Sequence, residues 1–282
     1  MINGKTRTYY PDKAIRQGYI SLLRETYSEI ITSRWLTWQL FRRNFIATYK
    51  QSVLGIFWAL VIPLVSVGTF IVLNRGGVFD VGDVAIPYPL FAVAGIALWQ
   101  LLSIGLTMGV GSLANAGGMI THINFTRASL IISSVAQGFV PSIIQVVIVF
   151  ILFAAYRMVP PWTALLVPLA VIPLILLTLG LAFILSLVNA VVRDAANMIS
   201  IMITFLMFLT PVLYAKPPSG IIAEVSHYNP LYYLVTVPRD LLTTGSTGEL
   251  AGFAYSSLIA IAVFFLCWIS FHLIETRIIE RV

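Results

Sequence analysis

The side chains that could carry out catalysis or bind a metal are few and widely spaced in this sequence. The three histidines, His122, His227 and His272, lie far apart and do not form a metal-ligand set. The lone cysteine, Cys267, lies in an apolar run and cannot form an internal disulfide bond or a multi-cysteine metal site. We therefore expect no catalytic residue, no metal and no cofactor on this chain.

A short match to a phosphate-binding loop lies near the N-terminus. Gly4, Lys5 and Thr6 reproduce the last three residues of the pattern GxxxxGK[ST]. The first glycine of that pattern and the strand that should precede it are missing, so we interpret the match as coincidence. Without a nucleotide site of its own, the chain would draw energy from a partner or from a gradient.

The overall composition is typical of a membrane protein. Hydrophobic residues make up 59% of the 282 residues and charged residues 10%, whereas a typical soluble domain has about 25% charged residues. This balance excludes the disordered, collagenous and disulfide-stapled classes and argues against a soluble enzyme. We expect an all-α protein that lies in a bilayer.

Six apolar stretches can cross a bilayer as helices, which takes about 20 residues for roughly 30 Å of hydrocarbon. They cover residues 53–73, 90–113, 130–156, 164–192, 198–214 and 251–274. Prolines inside the third and fourth stretches are compatible with membrane helices, because neighbouring groups can hydrogen-bond the freed carbonyls. The sequence therefore predicts a six-span transmembrane domain over residues 53–282.

The segment before the first span, residues 1–52, is basic and amphipathic. Apolar residues recur at three- and four-residue steps between residues 15 and 30, and aromatic residues alternate with basic ones between residues 34 and 50. This pattern predicts an interface helix with its aromatic groups in the acyl boundary and its basic groups at anionic headgroups. A helix packed on another protein is the alternative, and nucleic-acid binding fits the pattern poorly.

The basic residues also predict the orientation. With six spans both termini share one side, and thirteen of the 17 Lys and Arg residues fall on that side. Residues 1–52 lack the apolar core and cleavage site of a signal peptide. By the positive-inside rule we expect both termini in the cytoplasm.

The interiors of the predicted spans contain no Lys, Arg, Asp or Glu. Intramembrane ionisable residues mark proton relays and ion-coupled sites, so their absence argues against a gradient-driven carrier. It also argues against a membrane-embedded transferase acting on a polyprenyl carrier, since a metal-dependent enzyme of that kind needs clustered carboxylates.

Residues 216–250, between the fifth and sixth stretches, do not fit a simple loop. They contain apolar patches that are each too short to cross the membrane. Asn229 is a good helix N-cap and Pro230 suits the first helical position, whereas Pro238 interrupts the second patch. We expect two short re-entrant helices that enter the outer leaflet and return, and a surface-lying amphipathic loop is the alternative.

Four sequence blocks occur in a fixed order along the chain. They are residues 49–63 (YKQSVLGIFWALVIP), 189–194 (NAVVRD), 210–214 (TPVLY), and 229–233 with 239–242 (NPLYY and RDLL). With the six spans, over about residues 30–280, they resemble the permease subunits of type-2 ABC exporters of polysaccharide or polyol phosphate. That class includes O-antigen, capsule and teichoic-acid exporters. The resemblance implies a transport subunit, not an enzyme, that moves a lipid-linked cell-surface polysaccharide across the bacterial cytoplasmic (inner) membrane. An ABC permease for a drug or a lipid is the alternative.

The resemblance further implies an assembly in which two copies of the chain form a pore. Each copy would dock one cytoplasmic ATPase subunit, which binds ATP and Mg. Residues 115–129 would form the coupling segment that transmits the movement of the ATPase. The implied coupling residues are His122, Ile123, Asn124, Phe125, Thr126 and Arg127. Phe125 would serve as an aromatic anchor and Arg127 as a charge-assisted donor, and an ordinary polar connection is the alternative.

On the outer side, the resemblance implies that residues 216–250 act as a gate. The implied gate residues are Tyr228, Asn229, Pro230, Tyr232, Tyr233 and Arg239. The tyrosines would lie at the pore rim, where aromatic faces suit sugar rings and weak repeated contacts let a polymer slide.

Four further aromatic residues are candidates for lining the pore more deeply. They are Phe57, Trp58, Phe70 and Trp99. A lipid-facing or interfacial position is the alternative for each of them. Arg193 and Asp194, at the inner end of the fourth span, are interpreted as a local ion pair at the helix end.

Overall fold

The computed structural model describes residues 31–50, 84–116, 126–192 and 194–278, with scattered positions between 55 and 82. These parts of the chain contain eight helices and no β-strand, which confirms the predicted all-α class for them. The first four are α1 (Arg34–Lys50), α2 (Tyr88–Ala116), α3 (Arg127–Ala155) and α4 (Trp162–Val191). The others are α5 (Ala195–Leu209), α6 (Ile221–Tyr228), α7 (Pro230–Thr243) and α8 (Leu250–Ile278).

Four of these helices are long and apolar enough to cross a membrane. They are α2, α3, α4 and the portion of α8 that ends at Ile274, and they coincide with the predicted second, third, fourth and sixth spans. Most of the predicted first span, and residues 1–30 of the predicted interface segment, lie outside the described residues. The predicted fifth span is the 15-residue helix α5, whose length of about 22 Å falls short of the hydrocarbon thickness.

The prolines of the third and fourth spans lie where a helical segment begins. Pro141 follows a 3-10 turn, Ala136–Gly138, within α3. Pro168 and Pro173 each lie in the first turn of a helical segment of α4. The first N–H groups of a helix have no intrahelical acceptor, so proline removes little there. This explains how these stretches keep spanning length despite their prolines.

Helix α2 lies at the centre of the described structure. It contacts α3, α4, α5 and α7. Of its most apolar stretch of 18 residues, 78% is buried. Helix α8 packs on α4 and α7. Only 17% of its most apolar stretch of 18 residues is buried. A helix that is apolar on most sides is expected in the interior, as α2 is, or against lipid, as α8 is.

Small residues let these helices approach closely. A Cβ added to Gly138 of α3 would lie 2.8 Å from the Gly105 nitrogen and the Leu101 carbonyl oxygen of α2. A Cβ on Gly180 of α4 would lie 2.7 Å from Cα of Phe264 in α8. Because lipid tails are as apolar as the helix surfaces, association of membrane helices depends on such close packing.

Buried amides add hydrogen bonds between the helices. The Asn189 side chain of α4 donates to the Val110 carbonyl of α2 at 3.2 Å and accepts from the Ala196 N–H of α5 at 3.0 Å. The Gln137 amide of α3 donates to the Phe41 carbonyl of α1 at 3.1 Å. These bonds fix α4 and α5 against α2, and α1 against α3.

The α2–α3 contact generates a first test. We expect Gly138→Ala to lower the free energy of unfolding by about 1–3 kcal/mol, because the new methyl group meets backbone atoms that cannot move aside. Thermal unfolding of the purified protein in detergent measures this effect. Gly248→Ala is the matched control, since a Cβ there meets nothing within 4 Å. Equal behaviour of the two variants would show that the close approach contributes nothing.

Candidate functional site

Residues 210–214 form a non-helical segment inside the helical bundle. Helix α5 ends at Leu209, and Thr210 is extended with φ −104° and ψ 122°. Pro211 explains this end, because proline disfavours the helical conformation for the residue before it. All five residues of the segment are buried. Their backbone carbonyls therefore need partners from the protein.

Arg239 of α7 supplies one of those partners. Its Nη1 donates to the Pro211 carbonyl at 3.1 Å, and its Nε donates to Oδ1 of Asp240 at 3.2 Å. The guanidinium carbon lies 4.0 Å from the ring centre of Phe91 in α2. Burial raises the pKa of the Asp240 carboxyl, and Arg239 opposes that rise. A cation that is only 5% exposed is thus compensated by a carboxylate, a carbonyl and an aromatic face.

Helix α2 holds the same segment from the other side. The Tyr88 hydroxyl, in the first turn of α2, donates to the Leu213 carbonyl at 3.0 Å. At Gly95 an added Cβ would collide with the carbonyl oxygen of Val212. Glycine is therefore required where the extended backbone touches α2.

Asn229 and Pro230 have the roles that the sequence predicts for them at the start of α7. The Asn229 Oδ1 accepts from the Leu231 N–H at 3.0 Å, and Pro230 is the first helical residue. The Asn229 Nδ2 also donates to Oγ1 of Thr210 at 2.9 Å. One amide thus caps α7 and ties it to the buried segment. Helix α7 continues through Pro238 without a break.

The three predicted gate tyrosines lie in different environments. Tyr228 ends α6 and is 84% exposed, whereas Tyr232 and Tyr233 of α7 are 4% and 6% exposed. The Tyr233 hydroxyl donates to the His227 carbonyl at 3.0 Å, and its ring covers Gly252 of α8. Tyr232 and Tyr233 are thus buried in the single chain, and their predicted place at the pore rim stays a prediction.

A small ionic cluster surrounds Tyr232. Its hydroxyl donates to Oε1 of Glu249 at 3.4 Å, and Glu249 lies 3.7 Å from Nζ of Lys216. The same Lys216 Nζ lies 5.0 Å from the centre of the Tyr232 ring. Burial and the nearby Glu249 carboxylate raise the pKa of Tyr232. The phenol therefore stays neutral and acts as a donor at physiological pH.

Most of the predicted coupling segment cannot be placed. His122, Ile123, Asn124 and Phe125 lie outside the described residues. Thr126 is the N-cap of α3, with its Oγ1 2.6 Å from the Ser129 Oγ and its carbonyl accepting from the Ser129 N–H. Arg127 is the first residue of α3. The last three residues of the predicted coupling segment, 127–129, thus belong to the first turn of α3.

The candidates for pore lining fall into three groups. Phe57 and Trp58 are exposed on the single chain, and Phe70 lies outside the described residues. Trp99 is 4% exposed in the interior of the single chain, and its pore-lining role stays a prediction. Arg193 is also outside the described part, so the ion pair with Asp194 stays a prediction.

The sequence comparison decides the family. The sequence pattern of the ABC-2 type transporter family matches residues 36–243, from α1 to the last residue of α7. The chain belongs to the ABC-2 type transporter family. The match includes the buried segment (residues 210–214), Arg239, which hydrogen-bonds it, and the two short helices α6 and α7.

Three curated relatives of this ABC-2 type transporter chain carry one name, O-antigen export system permease protein RfbA. The protein from Myxococcus xanthus is 29% identical over 199 residues, which cover 69% of this chain and 72% of the relative. Two proteins from Klebsiella pneumoniae are each 27% identical. These alignments cover 70% and 77% of this chain and 76% and 82% of the relatives.

Sequence reasoning missed several residues that hold the segment in this ABC-2 type transporter chain. Tyr88 contacts a carbonyl 125 positions away, and Lys216 pairs with Glu249 across the two short helices. No local spacing pattern reports such long-range contacts. The available signal was indirect, since buried extended backbone requires donors and charged residues beside apolar helices need partners.

The contacts of Arg239 with Pro211, Asp240 and Phe91, which we call the clamp, generate a second test. We expect Arg239→Met to lower the free energy of unfolding by about 3 kcal/mol, because the Pro211 carbonyl loses its donor and Asp240 loses its cation. The exposed Arg157 provides a matched control, Arg157→Met, which should change stability by less than about 1 kcal/mol. Thermal unfolding in detergent measures both. A shift for Arg239→Met as small as that of the control would refute the clamp.

Proposed function

We propose that this chain is the membrane-spanning subunit of an ATP-driven exporter. It moves a lipid-linked, O-antigen-like polysaccharide outward across the bacterial cytoplasmic membrane. The observation that carries the proposal is the ABC-2 family match together with three relatives named as O-antigen export permeases. The four helices of spanning length are what a multi-pass transport subunit requires.

The proposed assembly contains two copies of this chain, which form the pore, and two cytoplasmic ATPase subunits. ATP and Mg bind to the ATPase subunits, and this chain performs no bond chemistry. Both termini lie in the cytoplasm in this proposal, which the concentration of Lys and Arg on that side supports. Residues 115–129 dock on the ATPase.

The contacts between helices support a route by which movement would reach the outer side. A displacement of the coupling segment acts directly on α3, because the segment includes the N-cap Thr126 and the first helical residue Arg127. Helix α3 is packed tightly on α2 at Gly138. Helix α2 in turn contacts the buried segment through Tyr88 and Gly95. Because packed helices move as rigid bodies, a shift at the inner end displaces residues 210–214 and α7.

Helices α6 and α7 form the outer gate in this proposal, as two short re-entrant helices. Helix α7 is the anchored part, since it packs on α2, α4 and α8. Helix α6 packs mainly on α5 and α7 and leaves Ile221 and Tyr228 exposed. We therefore assign the moving edge of the gate to α6, with Tyr228 as its aromatic contact for sugar rings.

A reconstitution tests the proposed function. The chain is expressed with its partner ATPase in cells that lack their own O-antigen permease, and surface O-antigen is measured by immunolabelling. We expect export only when both subunits are present, and no ATP hydrolysis by the purified chain alone. Intact complexes that hydrolyse ATP but leave the polysaccharide inside the cell would show that the substrate is wrong.

The coupling residues have a separate test. We expect Phe125→Ala to reduce recovery of the ATPase with the tagged permease about tenfold, because an aromatic anchor is lost from the interface. Phe150→Ala is the control, since Phe150 is exposed on α3 well away from the coupling segment. Membrane insertion of both variants should be normal. Undiminished recovery of the ATPase with Phe125→Ala would exclude Phe125 as the anchor.

A further inference from the structure

A cavity of about 210 Å³ opens between α2 and α5 on the surface of the single chain. Four of its seven lining residues carry hydroxyl groups, and none is charged. The hydroxyl residues are Ser103 and Thr107 of α2 and Ser200 and Thr204 of α5. We call this cavity the hydroxyl groove.

Helix α2 places its polar side chains on the side of the groove. Gln100, Ser103 and Thr107 recur at three- and four-residue steps, so they lie on one face. None of them is buried, although most of the apolar residues of α2 are. Ser112 is an exception that lies in the interior and donates to the Gly109 carbonyl of its own helix. On the open face of this otherwise apolar helix, these polar residues therefore alternate with Ile104 and Met108.

Helix α5 has one broad open face, on which Phe208 lies between the hydroxyl residues and the other large apolar residues. Met198, Ile201, Met202 and Phe205 are large, apolar and exposed. At 100° per residue, these four lie about 130° around the helix from Ser200 and Thr204. The apolar face suits lipid or a second copy of the chain. The hydroxyl groove lies at the edge of this face, on the side that is turned towards α2.

The hydroxyl groups of the groove retain hydrogen-bonding capacity. Thr107 Oγ1 donates to the Ser103 carbonyl at 2.7 Å, and Thr204 Oγ1 donates to the Ser200 carbonyl at 3.0 Å. The oxygen of each threonine can still accept. The Ser103 and Ser200 hydroxyls donate to no residue in the described parts of the chain. Lipid tails cannot use these groups, so at membrane depth they call for a polar neighbour.

A buried glutamine supports the polar face one turn away. Gln145 of α3 is fully buried, and its Nε2 donates to Oε1 of Gln100 at 2.5 Å. This bond uses one lone pair of the Gln100 oxygen and leaves the Gln100 amide N–H groups as donors. The α2 face therefore presents donors and acceptors in succession.

We propose that the hydroxyl groove is a hydrogen-bonding wall of the transport path and contacts the uncharged, hydroxylated part of the polymer. The inference rests on the proposed function and adds the residues that touch the substrate. An uncharged lining gives a phosphate or carboxylate group no fixed partner. Hydroxyls interspersed with Ile104, Met108 and Ile203 match the hydroxyls and C–H faces of neutral sugars. Such contacts are individually weak, as a sliding chain requires.

Cysteine accessibility tests the wall directly. Cys267 is the single cysteine, so Cys267→Ala provides a cysteine-free background. Ser103→Cys and Ser200→Cys are then introduced one at a time in the complex with the ATPase. We expect a membrane-impermeant, water-soluble maleimide to label both at least tenfold faster than Met198→Cys on the apolar face. Labelling only by a lipid-soluble maleimide would overturn the proposal.

Export kinetics test the hydrogen bonds. We expect Thr107→Val with Thr204→Val, which keeps the shape of both side chains, to lower the export rate about fivefold at equal complex abundance, because two modest hydrogen bonds to the polymer are lost. Thr178→Val is the matched control, since its buried hydroxyl also bonds its own helix but faces the interior.

The outcomes separate this inference from the proposed function. If the unaltered complex exports no polysaccharide, the proposed function fails, whatever the maleimide labels. If the unaltered complex exports and the double variant exports at the same rate, the hydroxyl groove is not a substrate wall, and the proposed function stands.

Discussion

The structure depends on one constraint, that extended backbone inside an apolar bundle must have its carbonyls hydrogen-bonded by the protein. Thr210 and Pro211 take the chain out of α5 and into the interior, where water cannot compensate the peptide groups. Arg239 and Tyr88 donate to carbonyls of this segment from α7 and α2. Burying a guanidinium is costly, and Asp240 and Phe91 offset that cost. The clamp therefore joins three elements that could not be packed there separately.

The clamp makes α2 the link between the two ends of the molecule. Its first turn contacts the buried segment through Tyr88, its middle lies against α3 at Gly105, and its later turns are tied to α4 by Asn189. Tight packing of Gly138 against Gly105 leaves α2 and α3 little room to move relative to each other. In the mechanism that we propose, a displacement of α3 would therefore be transmitted to α2 and not absorbed by side-chain rearrangement. Helix α6 makes few contacts with its neighbours, so it would be the part that moves.

The sequence predicts those features that local patterns determine. Four spans follow from the length of apolar runs, and the Asn229 cap follows from the chemistry of Asn-Pro before an apolar patch. The short α5 and the burial of Tyr232, Tyr233 and Trp99 did not follow, because tertiary contacts decide them. The Tyr233 ring fits against α8 because Gly252 has no side chain there. The spacing of Ser103 and Thr107 was visible, but only packing shows which face of α2 remains open.

Polar groups at membrane depth divide into two kinds in this chain, and the division bears on transport. Asn189, Gln137 and Arg239 are buried and bonded across helices, so they fix the arrangement of the bundle. The hydroxyls of the groove are open and bonded at most to their own helix. A side chain that bonded strongly to another helix would close the path, and one that bonded strongly to the polymer would hold it in place. A hydroxyl that already bonds to its own helix accepts and releases a sugar at little cost. A rigid bundle with a weakly binding wall is therefore consistent with a polymer that must move past the same residues many times.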